Sequence, residues 1–197
     1  MRIALIILIL LIVVTTSTAY AGSEAKQNPL ADGKTFPKIT LIEGKKKLNL
    51  PDDLRGKPFV IYFGNLAKDQ DGFEFLSWGG AFTISLRQTE DCLHDVYFAG
   101  VASMKNRPIY WVPALVRKTI KDEMKKNDIR GEMFYDFKGE IADTLKMEPG
   151  EFRAVIVDKE GLIVRTYENS VYDLSKEELD ELYLILLSLV EEDKNEE

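Results

Sequence analysis

Two continuous apolar runs constrain the fold more than any other feature of this sequence. Residues 58–63 read Pro-Phe-Val-Ile-Tyr-Phe, and residues 96–101 read Val-Tyr-Phe-Ala-Gly-Val. Both runs are rich in β-branched and aromatic residues, and neither shows the alternation of a strand that has one face in water. They therefore predict strands at the centre of a sheet that is covered on both faces.

Shorter periodic segments alternate around these two strands. Strands are predicted at 36–43, 48–50, 133–135, 152–157 and 162–167, and helices within 73–93 and at 113–126, 140–147 and 175–190. The first two short strands form a hairpin that turns at Gly44, and a glycine at 161 allows a second hairpin turn. This order predicts an α/β domain of three layers, with a mixed central sheet and an N-terminal β-hairpin extension.

The first 21 residues have the pattern of a secretory signal peptide. Arg2 precedes an unbroken apolar run, Ile3–Val14, and Ala19-Tyr-Ala21 is a small-x-small cleavage signature. The run is shorter than the ~20 residues that span a bilayer, which disfavours the alternative of an uncleaved anchor helix. We expect cleavage before Gly22 and a periplasmic or secreted protein without stable membrane insertion after cleavage.

The predicted domain boundaries follow from these patterns. Residues 1–21 form the signal peptide, 22–35 a flexible lead-in, 36–190 a single α/β domain, and 191–197 a charged tail. The net charge of −7, with 26 basic against 33 acidic residues, argues against a nucleic-acid partner and a role in transcription. The single cysteine excludes an intramolecular disulfide.

Three segments carry a family resemblance. They read F-P-K-I-T-L, G-K, L-N-L and L-R-G-K-P-F-V-I-Y-F within 36–63, F-Y-D-F-K-G-E-I-A from 134, and V-I-V-D-K-E-G-L-I-V over 155–164. Their succession resembles the exported thioredoxin-like proteins of the TlpA, ResA and peroxiredoxin-like group, and it suggests the small periplasmic YtfJ-type proteins as the subgroup. The resemblance implies a thioredoxin-like fold over residues 36–190.

The departures from that family pattern bear on function. The resemblance implies a Trp-Cys-x-x-Cys segment after the first buried strand, but residues 64–71 read Gly-Asn-Leu-Ala-Lys-Asp-Gln-Asp. It also implies a cis-proline where this chain has Phe152 and Arg153, with Pro149 shortly before them. A peroxiredoxin's attacking cysteine would lie closer behind the first buried strand than Cys92 does. The chain therefore lacks the dithiol of the enzymes that it resembles.

Cys92 is the only sulfur nucleophile in the sequence. Its neighbours Glu90, Asp91 and Asp95 disfavour a thiolate and should raise its pKa. A small buried hydrophobic residue is the interpretation that the helix pattern favours, and an intermolecular disulfide and a redox-sensing thiol remain as alternatives. His94 is the only histidine, and it lies in no arrangement typical of a metal site or a catalytic triad, so we predict no metal and no cofactor.

These observations favour a redox-inactive binding module over an enzyme, although a single-cysteine thiol oxidoreductase or redox sensor acting through Cys92 stays open. The predicted binding surface combines the loop after the first buried strand with the loop before the strand at 152. Its candidate residues are Asn65, Lys68, Asp69, Asp71, Phe152 and Arg153. The expected partner is a protein of the cell envelope.

The C-terminal helix has more apolar surface than one face of a sheet requires. Leu184, Ile185 and Leu189 lie beside its main apolar stripe. Part of Leu184 should stay exposed in a monomer, which would allow self-association through this helix. The alternative is that the N-terminal hairpin covers this second flank.

Overall fold

The computed structural model describes residues 28–67, 95–106, 113–126, 131–168 and 176–191. The strands are β1 (Ile39–Glu43), β2 (Lys46–Leu50), β3 (Phe59–Asn65), β4 (Tyr97–Ser103), β5 (Glu132–Asp136), β6 (Phe152–Val157) and β7 (Ile163–Glu168). The helices are α1 (Pro113–Lys126), α2 (Glu140–Thr144) and α3 (Lys176–Glu191), and a 3-10 turn spans Asp52–Leu54. Each of these strands and α-helices lies where the sequence predicts one, although α2 is shorter than predicted. The helix predicted within 73–93 lies outside the described residues.

Five strands form a mixed sheet in the order β5-β4-β3-β6-β7. β3 is parallel to β4, and β4 is parallel to β5. β6 is antiparallel to both β3 and β7. β1 and β2 form a separate antiparallel hairpin that turns at Gly44, whose φ of 62° suits a glycine. The prediction of a mixed sheet with an N-terminal hairpin is confirmed.

The central strand β3 is buried along its whole length, as its apolar run predicts. Val60 and Tyr62 point to one face of the sheet and pack in a cluster with Leu182 and Leu186 of α3. The alternate residues of β3 point to the other face, into a cluster with the hairpin and α2. That second cluster includes Phe59, Ile61, Phe63, Leu41, Leu48, Leu50, Ala142 and Leu145. The two clusters establish three layers, with the sheet in the middle.

The segment before β1 corrects one prediction. The sequence pattern predicts a flexible lead-in over residues 22–35, but Leu30 is fully buried and part of the second core cluster. The backbone of this segment bonds to β7, with Gly33 N–H donating to Ile163 O at 2.7 Å and Ile163 N–H donating to Lys34 O at 2.8 Å. The polar composition of residues 28–35 concealed this role, because the segment is fixed mainly through its backbone.

One flank of α3 is exposed, as the sequence predicts. The N-terminal hairpin does not pack on that flank, which was the alternative prediction. Leu182 and Leu186 are fully buried, whereas Leu184 is 62% exposed. The N-terminal hairpin packs on the opposite face of the sheet from α3. The alternative that the hairpin covers the second flank of this helix is therefore wrong, because a sheet separates the two elements.

We expect Leu30→Ala to lower the free energy of unfolding by about 2–4 kcal/mol, because it leaves a cavity under a segment with no other large core side chain. Leu162→Ala is the matched control, since Leu162 lies on the neighbouring turn and is 41% exposed. Urea denaturation of both variants measures the difference. Equal, small effects would mean that residues 28–35 are not fixed to the domain.

Candidate functional site at the end of β3

The short helix α2 is held in place by a buried carboxylate. Asp136 ends β5, and its side chain accepts hydrogen bonds from the backbone N–H groups of Glu140 (3.0 Å), Ile141 (2.9 Å) and Ala142 (3.1 Å). These are three of the amides that a helix N-terminus leaves without a partner inside the helix. Gly139 precedes the helix with a φ of 76°, a conformation in which glycine is unstrained. Asp136 thereby fixes where α2 begins.

The end of α2 contains a strained residue. Met147 N–H donates to Ala142 O at 3.0 Å, which closes the helix in a Schellman-type turn. Glycine usually occupies the left-handed position of such a turn, but here it is Lys146, with a φ of 53°. Lys146 is exposed, and the described residues offer its ammonium group no hydrogen-bond or ion-pair partner. Its side chain is therefore available at the surface.

Asn65 ties the end of β3 to the connection between α2 and β6. The side chain is 5% exposed, and its Nδ2 donates to Met147 O at 2.9 Å. Its Oδ1 accepts from Asn106 Nδ2 at 3.2 Å, and its backbone O accepts from Gly150 N–H at 2.6 Å. One residue thus joins β3, the segment after β4 and the loop before β6.

Arg153 performs a similar task from inside β6. Only 7% of this residue is exposed, and its Nη1 donates to Leu145 O at 3.1 Å. Its Nη2 donates to Glu151 Oε2 at 2.9 Å, and Glu151 also accepts from Glu148 N–H at 2.7 Å. A buried guanidinium needs such partners, because an unpaired buried charge is costly. Arg153 therefore stabilises the loop from within, and it also lines a smaller cleft of about 250 Å³.

A polar cleft of about 340 Å³ opens beside Asn65. Three segments distant in sequence line it: the end of β3, the turn after β4, and α2 with its following loop. The lining residues are Asn65, Lys105, Asn106, Asp143, Lys146, Met147, Glu148 and Pro149. Lys105 Nζ binds both carboxylate oxygens of Asp143, at 2.9 and 2.6 Å. Among the lining groups, the side chain of Lys146 is exposed, and the Asn106 amide donates to Asn65 Oδ1 and Leu66 O.

The sequence-predicted site residues have mixed outcomes. Asn65 lies at the cleft, but as a buried positioning residue. Phe152 and Arg153 were expected on the binding surface, yet both are buried, because β6 runs through the middle of a sheet that is covered on both faces. The remaining candidates, Lys68, Asp69, Asp71 and Cys92, lie outside the described residues. The peptide bond before Pro149 is trans, so Pro149 does not supply the cis-proline that the resemblance implies.

Most residues that line the cleft are not predicted by the sequence. Lys105, Asn106, Asp143 and Lys146 are polar residues in turns and on a helix, which is also the pattern of ordinary solvated surface. One signal was present: Asn106 directly follows a turn after a buried strand, and parallel neighbouring strands end at the same edge of a sheet. Side chains that follow β3 and β4 must therefore lie near each other.

The eight lining residues of the cleft offer amides, ammonium groups, carboxylates and one thioether. These groups form hydrogen bonds and charge pairs. Within the described ranges, no group of three histidine, cysteine, aspartate or glutamate residues is arranged to hold a metal ion.

We expect Lys146→Gly to raise the free energy of unfolding by about 0.5–1 kcal/mol, because glycine adopts the left-handed conformation without strain. Lys138→Gly is the control: Lys138 is also an exposed lysine near α2, but its φ is not positive. That variant should lose stability, since glycine there adds freedom to the unfolded chain and removes the exposed ion pair of Lys138 with Glu140. Urea denaturation decides; a loss in both variants would show that Lys146 is not strained.

Comparisons with known proteins support the fold. The sequence has no significant match among protein-family models or curated proteins. Among solved structures, the thioredoxin domain of a thiol-disulfide oxidoreductase from Bacteroides vulgatus matches with a TM-score of 0.52 and 19% identity, over 82% of this chain and 99% of that one. A secreted disulfide oxidoreductase of Mycobacterium tuberculosis matches with a TM-score of 0.50 and 17% identity, over 77% and 96%. Peroxiredoxin 6 of Arenicola marina matches with a TM-score of 0.53 and 12% identity, over 79% and 71%. The chain therefore has a thioredoxin-like fold and, with a single cysteine, no Cys-x-x-Cys motif.

Proposed function

We propose that this protein is an exported, redox-inactive thioredoxin-like domain that works as a binding module for a protein of the cell envelope. One observation carries the proposal. Asn65 ends the central strand, and its side chain and backbone together hold two neighbouring loops around a polar cleft. Asn65 thus has a structural role at the end of β3, and the polar groups that line the cleft around it are suited to binding.

The composition of the cleft supports a polypeptide partner. Its ammonium, carboxylate and amide groups match the side chains and backbone of a protein surface. Protein interfaces typically combine such polar groups with some apolar contact, which Met147 and Pro149 provide here. Asn106 and Lys146 are the residues that we expect to contact the partner.

Site-specific photo-crosslinking tests this proposal. A photoreactive amino acid at position 106 should cross-link a protein in the cell envelope, because Asn106 lines the cleft. The same amino acid at position 57 is the control, since Lys57 is exposed just before β3 starts, at the other end of the strand. Equal yields at both positions would contradict a binding surface at the end of β3, and so would no product at either position.

Export is the second part of the proposal. The apolar run and the Ala-Tyr-Ala signature support it, and no helix in the described part of the chain is long and apolar enough to cross a membrane. We expect mass spectrometry of the protein from a periplasmic extract to show a mature chain that begins at Gly22. Finding intact Met1 in the membrane fraction would show instead that the segment is an anchor.

The lack of a dithiol leads to an activity prediction. With Cys92 as its only cysteine, the chain cannot cycle between a dithiol and an intramolecular disulfide, so it should not catalyse the reduction of insulin by dithiothreitol. A Cys92→Ser variant provides the baseline. Turnover clearly above that baseline would overturn the redox-inactive proposal in favour of a single-cysteine oxidoreductase.

Self-association through α3 is the remaining proposal. Leu184 is 62% exposed, so Leu184→Glu should leave the free energy of unfolding nearly unchanged while weakening any self-association, which sedimentation velocity measures. Leu186→Glu should unfold the domain, because Leu186 is fully buried in the same helix. If Leu184→Glu also unfolds the chain, Leu184 belongs to the core and the interface proposal is wrong.

A further inference from the structure

A second cleft, larger than the one at β3, lies along the edge strand β5. Its volume is about 540 Å³, which is within the range of roughly 300–1,000 Å³ typical of small-molecule sites. The end of the N-terminal hairpin forms one wall, and α1 forms the other. Apolar groups of Met124, Met133, Phe134 and Tyr135 line it, together with charged residues of both walls. We refer to it as the β5 groove.

Two ion pairs line the β5 groove, and both start from the end of the hairpin, where Glu43 and Lys46 are paired across the two strands. Lys46 of the hairpin binds Glu132, the first residue of β5, and Glu132 also accepts a hydrogen bond from the Tyr97 hydroxyl at 2.5 Å. Glu43 of the hairpin pairs with Arg117 of α1 at 3.0 Å. The Arg117 guanidinium lies over the ring of Tyr135, 5.7 Å from its centre. Each of these four charges thus has an opposite charge beside it.

One charge that lines the groove is unmatched. Lys121 lies one helical turn from Arg117 on α1, is exposed, and has no carboxylate partner among the described residues. The two ion pairs cancel, so the described lining of the β5 groove has one excess positive charge, that of Lys121. Apolar side chains lie beside this charge. A ligand complementary to this groove has one negative charge and an apolar portion.

The groove fits a small ligand better than an added β-strand. A strand that paired with the outer edge of β5 would have to pass both ion pairs, one of which links the hairpin to β5 and the other the hairpin to α1. A second copy of this chain fits poorly as well. Antiparallel pairing of β5 with itself, centred on Phe134, would place Glu132 opposite Asp136, and like charges across a strand pair are destabilising.

We propose that the β5 groove binds a monocarboxylate with an unbranched apolar chain, whose carboxylate pairs with Lys121 and whose chain packs on Met124 and Met133. Methionine side chains are flexible and polarisable, so they adapt to such a chain. Tyr135 offers a hydroxyl donor beside them. Burial, together with the negative charge of Glu43, raises the pKa of Tyr135 to about 12, so the hydroxyl keeps its proton at neutral pH.

Methionine-methyl NMR with decanoate as the probe tests this proposal. Decanoate should shift the methyl signals of Met124 and Met133 to saturation, while Met104 and Met147, which are buried and do not line the groove, should not respond. Lys121→Gln should weaken decanoate binding roughly fivefold, as expected for a solvent-exposed ion pair, and should leave the binding of uncharged decanol unchanged.

Lys118→Gln is the matched control, because Lys118 is an exposed lysine of the same helix that does not line the groove. It should change neither affinity. The proposal is wrong if decanoate causes no saturable shift at Met124 and Met133, or if Lys118→Gln and Lys121→Gln have equal effects. It is also wrong if an acidic extended peptide, Val-Glu-Val-Glu-Val blocked at both ends, shifts these signals while decanoate does not, since the groove would then dock a strand.

Discussion

The burial of β3 on both faces is the constraint on which the rest of this structure depends. A strand whose alternate side chains point into two separate cores requires a layer on each side of the sheet. α3 and α1 cover one face, and the hairpin and α2 cover the other. The last residue of this central strand, Asn65, lies where it bonds to the segment after β4 and to the loop before β6. The position of the candidate site follows from that geometry.

The sequence predicted the strands and helices well because their periodicities are strong and local. It failed where tertiary contacts decide the outcome. Residues 28–35 have no apolar periodicity, and what holds them is a backbone ladder to β7 and the single side chain of Leu30. Phe152 and Arg153 were expected at a surface because a loop precedes them. A buried arginine cannot be distinguished from an exposed one in sequence, since the difference lies in Leu145 O and Glu151, the partners that the fold brings to it.

The candidate site shows the same division. Asn65 was found because it directly follows a recognisable strand. The other cleft residues come from a turn after β4 and from a short helix, and only the folded chain brings Asn106 and Lys146 near Asn65. The positive φ of Lys146 could not be predicted from the sequence either, because lysine rather than glycine occupies that position. A chain that retains strain at an exposed residue beside a cleft does so at a cost in stability, and such strain is concentrated at functional positions.

The motifs that carry the family resemblance prove to be structural devices. Asp136 satisfies three amides at the start of α2, and Asp158 accepts from Glu160 N–H at 3.0 Å and from Leu162 N–H at 2.8 Å in the β6–β7 turn. Gly161, with a φ of 88°, completes that turn. None of these hydrogen bonds involves a cysteine, so these structural devices do not depend on a dithiol. A thioredoxin-like architecture can therefore form without a Cys-x-x-Cys motif, as it does in this chain.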